Sequence, residues 1–564
     1  MTTDAIASPT PRLARLRCGG ACLWVGGAAA TALLVLVPIV SLAVIAAGGS
    51  GDAWRHIAVH VVPQVSLNTG LLLLGVGILT IAIGTGGAWL VTAYDFPGRR
   101  VLDWALLLPL AVPTYIVAYA YLDLLHPIGP VQSLIRDIFG IASPRDFRLP
   151  DLRSIPGAVI LLGFVLYPYV YLSTRALFLM QASGLIDAAR TLGAGQFRVF
   201  FSVALPLARP AIAVGASLAL METLNDIGAS EFLGVRTLTL SIYSTWINQS
   251  NLPGAAQLAL VMLAMVVILV TIERLARRGQ RFGSTAQRTA APARRRLRGW
   301  GAAAALAATL VPVLVGFVFP ALHLVHQASI RLDFVGFSPR LVGEALNTVG
   351  ISALATAIVV VLGTVVAYAA RAEDGRLGRG LLRTASLGYA LPGTVVAIGL
   401  LAPLAGLDNL VDGIMRANLG ISTGLILSGT VAALAYAYAV RFLAVSAGGI
   451  DAGFQKVPRR LDYSARTLGE TATGVFARVH LPLLRPALGA AAILVFVDCM
   501  KELPATLLLR PLNFETLATH LYGEAARGTY EDGAIAALLI VLVGLLPVVL
   551  LGRISRPAVP RVEG

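Results

Sequence analysis

The 564-residue chain is 57% hydrophobic and 13% charged, with a formal net charge of +15 and a mean hydropathy of +0.80. Soluble globular chains carry about 45–50% apolar and about 25% charged residues, so these values exclude a cytosolic enzyme, a disordered chain and a nucleic-acid binder. The surplus of positive charge does not restore the last of these. Lys and Arg fall in alternate segments between apolar blocks, the positive-inside pattern, not on one binding stripe.

The apolar blocks have the length of a helix that crosses a hydrocarbon core about 30 Å thick. In chain order they predict spans at 21–47, 69–94, 103–125, 156–178, 210–232 and 253–273. A second set follows at 300–325, 346–370, 385–406, 421–445, 486–508 and 534–552. Arg12, Arg15 and Arg17 precede the first block, which is longer than the roughly 7–15 apolar residues of a signal peptide. It therefore reads as a retained span with a cytoplasmic N-terminus. On that topology the inner segments hold about three times the Lys and Arg of the outer ones. Both termini are then expected inside, and residues 126–155 and 509–533 outside.

Residues 274–299 hold nine arginines among Gly, Ser, Thr and Pro, without an apolar period. They read as a cytoplasmic linker, marking topology and able to meet membrane lipid, between a six-span half at 1–273 and another at 300–564. The halves repeat. Asn68-Thr69 matches Asn347-Thr348 and Ala111-Val112-Pro113 matches Ala390-Leu391-Pro392, both at an offset of 279. Residues 187–211 match 463–487 at an offset of 276, with 14 of 25 positions identical. Such self-similarity is an internal duplication. An even number of spans per half makes the repeat parallel, so a pathway is expected between the halves.

The strongest matches between halves lie in the loops at 179–209 and 447–485, on the side read as cytoplasmic. Asp187-Ala188-Ala189-Arg190, Gly193 and then Val203-x-Leu205-Pro206 resemble the EAA loop of ABC importer permeases. The second copy, Tyr463-Ser464-Ala465-Arg466, Gly469 and then Val479-x-Leu481-Pro482, keeps the spacing. The resemblance implies a short coupling helix in each loop, seated on an ATP-binding subunit. Gly193 and Gly469 then permit a sharp helix exit, and Pro206 and Pro482 start the next segment. The second copy departs from the pattern. Tyr463 stands where the family has an acid, with Asp462 one place earlier, so the two docking contacts are expected to differ.

No GxxxxGK[ST] phosphate loop occurs, nor HExxH. The chain is thus expected to bind no cofactor, to be no enzyme, and to leave ATP hydrolysis to a separate subunit. Asn225-Asp226-Ile227-Gly228-Ala229-Ser230-Glu231 and Lys501-Glu502-Leu503-Pro504-Ala505-Thr506 resemble fused permeases of ferric-iron importers. Thiamine and phosphonate importers share that architecture. The resemblance implies an all-α polytopic inner-membrane protein of about twelve helices with the type I ABC importer permease fold. Its implied partners are two copies of an ATP-binding subunit inside and a periplasmic substrate-binding protein outside. An ion-coupled secondary transporter is the alternative of another class.

Glu222 and Asp226 are four residues apart, as are Asp498 and Glu502 at an offset of 276. With Lys501, the one cation read deep in a late span, they either line a translocation path or serve structure, as a solvated vestibule or an ion pair. Cys18, Cys22 and Cys499 are too few for a disulfide framework and lack metal-ligand spacing. His56 and His60 read as surface residues, and Tyr115, Tyr119 and Tyr121 as packing.

Overall fold

The computed structural model describes residues 21–49, 51–180, 189, 191–276, 294–336, 338–373 and 375–554. The first half consists of α1 (Ala21–Ala47), α2 (Val62–Ala93), α3 (Thr114–Leu124), α4 (Ile155–Met180), α5 (Leu205–Asn225) and α6 (Leu252–Ala276). The second comprises α7 (Trp300–Phe334), α8 (Pro339–Ala372), α9 (Gly393–Leu419), α10 (Val431–Gln455), α11 (Leu481–Met500) and α12 (Tyr530–Ile554). Among the described residues eleven helices are long and apolar enough to cross a membrane. A twelfth span arises when Arg99–Ala111 and α3 count as one, bent by 92°.

That bend corrects the expected span at 103–125, and its cause is local. Pro113 takes φ −57° and ψ 143°, and a proline also holds the residue before it out of the helical region. The chain therefore leaves a short helix and 3-10 turn, extends at Val112-Pro113, and restarts as α3. The second half repeats the device. Ser386–Ala390 is a 3-10 turn, Leu391-Pro392 is extended, and α9 starts at Gly393. Two other spans end early. α5 stops at Asn225 and α11 at Met500, each followed by a short helix, Gly228–Phe232 and Pro504–Leu509.

The predicted span at 421–445 is displaced by about ten residues. Its start, Ile421 to Ile426, is not helical. The amides of Ile426, Leu427 and Ser428 donate to the Asp408 carboxylate at 3.1, 2.8 and 2.7 Å, which fixes an irregular turn. Thr430 then caps α10. Pro206 and Pro482 stand in the first turns of α5 and α11, as expected, but neither follows a break in the chain's path. The helices run through from Gln196 to Asn225 and from Ala472 to Met500. Just ahead of each proline the ladder slips to π geometry, at Phe200–Ala204 and Phe476–His480. Proline donates no N–H and crowds the carbonyl four residues back, so a one-residue slip keeps the helix continuous.

The halves are interleaved. α1 packs on α8 and α9 of the other half, where Gly399 lies so close to the Pro38 carbonyl that a side chain there would collide. Tyr436 donates to the Leu34 carbonyl at 2.8 Å. α7 crosses in the opposite sense. Gly316 sits against the Phe164 carbonyl and Pro109, Tyr121 donates to the Val315 carbonyl at 2.7 Å, and His323 meets Asp123 at 2.8 Å. Each sequence half therefore lends its first helix to the other packing unit. The linker's end joins in as well: Arg295–Arg296 pairs in parallel with Tyr94–Asp95.

Candidate functional site

The two breaks just ahead of α3 and α9 and the ends of α5 and α11 converge on one cavity of about 100 Å³. Discontinuous helices meeting between two repeats are a common construction for solute sites in transporters. The lining includes Glu222, Asp226, Asp498, Lys501 and Glu502, all five of the residues singled out for a path. It also includes Arg441, four residues from the inner end of the predicted span at 421–445. Because α10 is displaced, Arg441 lies inside the membrane, 9% exposed, and pairs with buried Glu502. Lys501 is therefore not the one deep cation of the second half. Four carboxylates face two cations here.

Local geometry sets each group. Asp226 and Glu502 follow the ends of α5 and α11 and cap the short helices beyond. The Ala229 amide donates to Asp226 Oδ1 at 2.9 Å, and the Ala505 amide to Glu502 Oε1 at 2.9 Å. Ser230 and Thr506 then donate to the Asp226 and Glu502 carbonyls, both at 2.8 Å. Lys501 Nζ lies 2.9 Å from Asp498 Oδ1. Across the seam, Asn225 Oδ1 accepts from the Gly393 amide at 2.8 Å and so caps α9 of the other half. That contact ties the cavity wall to both halves, and nothing in the sequence announced it.

The coupling loops form the second element of the site. Asp187, Ala188 and Arg190 lie outside the described residues. Ala189, Gly193 and the whole second copy are described. Gly193 and Gly469 have φ +82° and +90°, the left-handed region where glycine is favoured. Matching bonds close both exits, from the Ala194 amide to the Ala189 carbonyl at 3.0 Å and from the Glu470 amide to the Ala465 carbonyl at 3.1 Å. Both are the six-residue closure of a helix C-terminus. The turns raise Leu192 and Leu468 into the open, 88% and 85% exposed.

In the second loop Ser464, Ala465 and Arg466 lie on the helix Arg460–Thr467, with Ala465 buried and Tyr463 exposed. Asp462 faces inward instead. It accepts from Arg371 at 2.9 and 3.0 Å and meets His480 Nε2 at 2.7 Å. Burial would raise its carboxyl pKa, but these bonds hold it below the ordinary range. The first copy has no counterpart, since Thr92, Ile186 and Ala204 stand at the equivalent positions. Asp462 thus pins the second loop to α8 and α11 and does not replace the missing docking acid. The His56 and His60 rings lie 5.1 Å apart, tilted by 45°, and no group of three metal-ligating side chains converges among the described residues.

The family described as "Binding-protein-dependent transport system inner membrane component" matches twice, at residues 78–282 and 359–561. The chain is 24% identical over 489 residues to an Fe(3+)-transport system permease of Haemophilus influenzae, covering 86% of this chain and 89% of the relative. It is 33% identical over 207 residues to the molybdenum transport system permease of Escherichia coli, covering 36% and 87%. It is 26% identical over 247 residues to the sulfate transport system permease of Escherichia coli, covering 42% and 85%.

Proposed function

The chain belongs to the family of binding-protein-dependent transport system inner membrane components, and we propose that it is the fused permease of an importer that carries ferric iron inward. Permeases of this family are not enzymes. They work with an ATP-binding subunit that hydrolyses the nucleotide and with a substrate-binding protein. Two coupling loops in one chain argue for two copies of the ATP-binding subunit, with no cofactor on the permease itself. Closure of those subunits would push both loops and swing the interleaved halves about the cavity, an alternating-access motion.

The observation that carries ferric iron is the cavity's excess of carboxylates, four against two cations. A hard cation wants oxygen ligands and negative potential. The iron-permease relative also matches both halves, whereas the molybdenum-permease relative spans about one. A cavity of about 100 Å³ is far below the roughly 300–1,000 Å³ of sites for drug-sized ligands, which disfavours thiamine. Arg441, Lys501 and the 33% identity to a molybdenum permease favour a second reading, an oxyanion such as molybdate. Uptake of labelled ferric iron and labelled molybdate by cells lacking other importers decides. Iron should accumulate and molybdate should not, and the reverse result removes iron.

The orientation follows from the charge bias. Residue 288 and both termini are expected inside, and single cysteines at 135 and 512, on a cysteine-free background, should react with an impermeant reagent from outside. Labelling of residue 288 from outside inverts the topology.

A further inference from the structure

The repeat invites the expectation that its halves contribute equally to the cavity, and the ion pairs say otherwise. The offset of 276 pairs Glu222 with Asp498, Asn225 with Lys501, and Asp226 with Glu502. α4 and α10 follow the same offset, because the paired glycines Gly84 and Gly363 abut Tyr171 and Ala447. Val165 therefore stands where Arg441 does, and both line the cavity.

In the second half each acid has its own cation. Lys501 holds Asp498 at 2.9 Å, and Arg441 holds Glu502. In the first half the two cation positions are Asn225 and Val165, and neither carries charge. Asn225 is also committed, since its carbonyl oxygen caps the positive end of α9. A lysine cannot accept that bond, which is why Lys501 turns to Asp498 instead. Glu222 and Asp226 therefore form no ion pair among the described residues, although Arg441 and Lys501 still act on Glu222 from beyond ion-pair distance.

Asp226 is 7% exposed; the Thr114 hydroxyl is the nearest donor side chain in the wall, but no donor reaches Oδ2 at hydrogen-bond geometry. The hydroxyl of Tyr115, 4% exposed and part of the same wall, is likewise unpartnered. Leaving a buried carboxylate oxygen unsatisfied is costly, and an arriving cation relieves that cost.

We propose that Asp226, with Glu222 and the Tyr115 hydroxyl, is the point of contact for a passing ferric cation, whereas Asp498 and Glu502 serve as counter-ions to Lys501 and Arg441. This rests on the reading of the cargo as ferric iron. Two carboxylates and a phenol form a weak site, as transit requires: an ion must bind well enough to enter and loosely enough to leave.

The test uses proteoliposomes holding the chain with its ATP-binding subunit and binding protein, and radiolabelled ferric iron. Asp226→Asn and Glu222→Gln should each cut uptake about tenfold or more, the size of one lost charge-assisted contact. Binding-protein-stimulated ATP hydrolysis should persist in both, which a merely unfolded variant could not show. Asp226→Glu, which keeps the charge, should restore most uptake. The double change Asp498→Asn/Lys501→Gln, which removes a pair together, should cost less than about threefold. Equal losses in the two halves, or a larger loss from the second, overturn the assignment while leaving iron import standing. A wild type that takes up molybdate and no iron removes both.

Discussion

Gly469→Val should reach the membrane at wild-type level, yet lose most transport and most ATPase binding. The reason is conformational. Gly469 holds φ +90°, and a Cβ built there meets nothing within 4 Å, so space is not the constraint. An L-residue in the left-handed region costs about 1–2 kcal/mol, and a β-branched one more. The loop can shed that strain by giving up the closure from Glu470 to Ala465, which redirects exposed Leu468. Gly193, at φ +82° with Leu192 as the displayed side chain, should respond in the same way. Gly469→Asn separates angle from contact, because Asn tolerates this region. It should keep most of the coupling measured as substrate-driven ATP hydrolysis. If Asn is as damaging as Val, close approach of the partner subunit, not the backbone angle, makes glycine necessary.

Most of this architecture is legible in the residues because the bilayer makes simple demands. Runs of about 20 apolar residues must be helices, and the exact spacing of 276 between loops announces two equivalent contacts. The failures have a common physical origin: hydropathy reports burial in lipid, not helicity. Ile421–Ile426 opens the predicted span, yet Asp412 accepts from the amides of Thr423 and Gly424 and Asp408 from those of Ile426, Leu427 and Ser428, so the segment is held as a turn. The ten-residue shift moves Arg441 from the inner boundary to the cavity. The breaks at Pro113 and Pro392 were marked in the sequence by proline, but their apolar flanks masked them. Asn225 capping α9 joins groups 168 residues apart and left no local signal at all.

The other large effect is expected at that misplaced arginine. Glu502→Gln removes the partner of Arg441, a guanidinium 9% exposed within the membrane. Breaking a buried pair from one side costs about 3–5 kcal/mol, because the surviving charge loses its hydrogen-bonded counter-ion. The thermal midpoint of the purified chain in detergent should fall clearly, and less protein should reach the membrane. Arg441→Leu leaves Glu502 in the same position, with only the Ala505 amide as donor, and should be similarly poor. The double variant Arg441→Leu/Glu502→Gln should recover most of the loss. Gln still accepts from that amide, and an apolar residue already serves at the symmetric position as Val165. A thermodynamic cycle over the four proteins measures the coupling directly. Additive losses would show that Arg441 and Glu502 act separately, and the second half's acids would then be as available to a cation as Asp226.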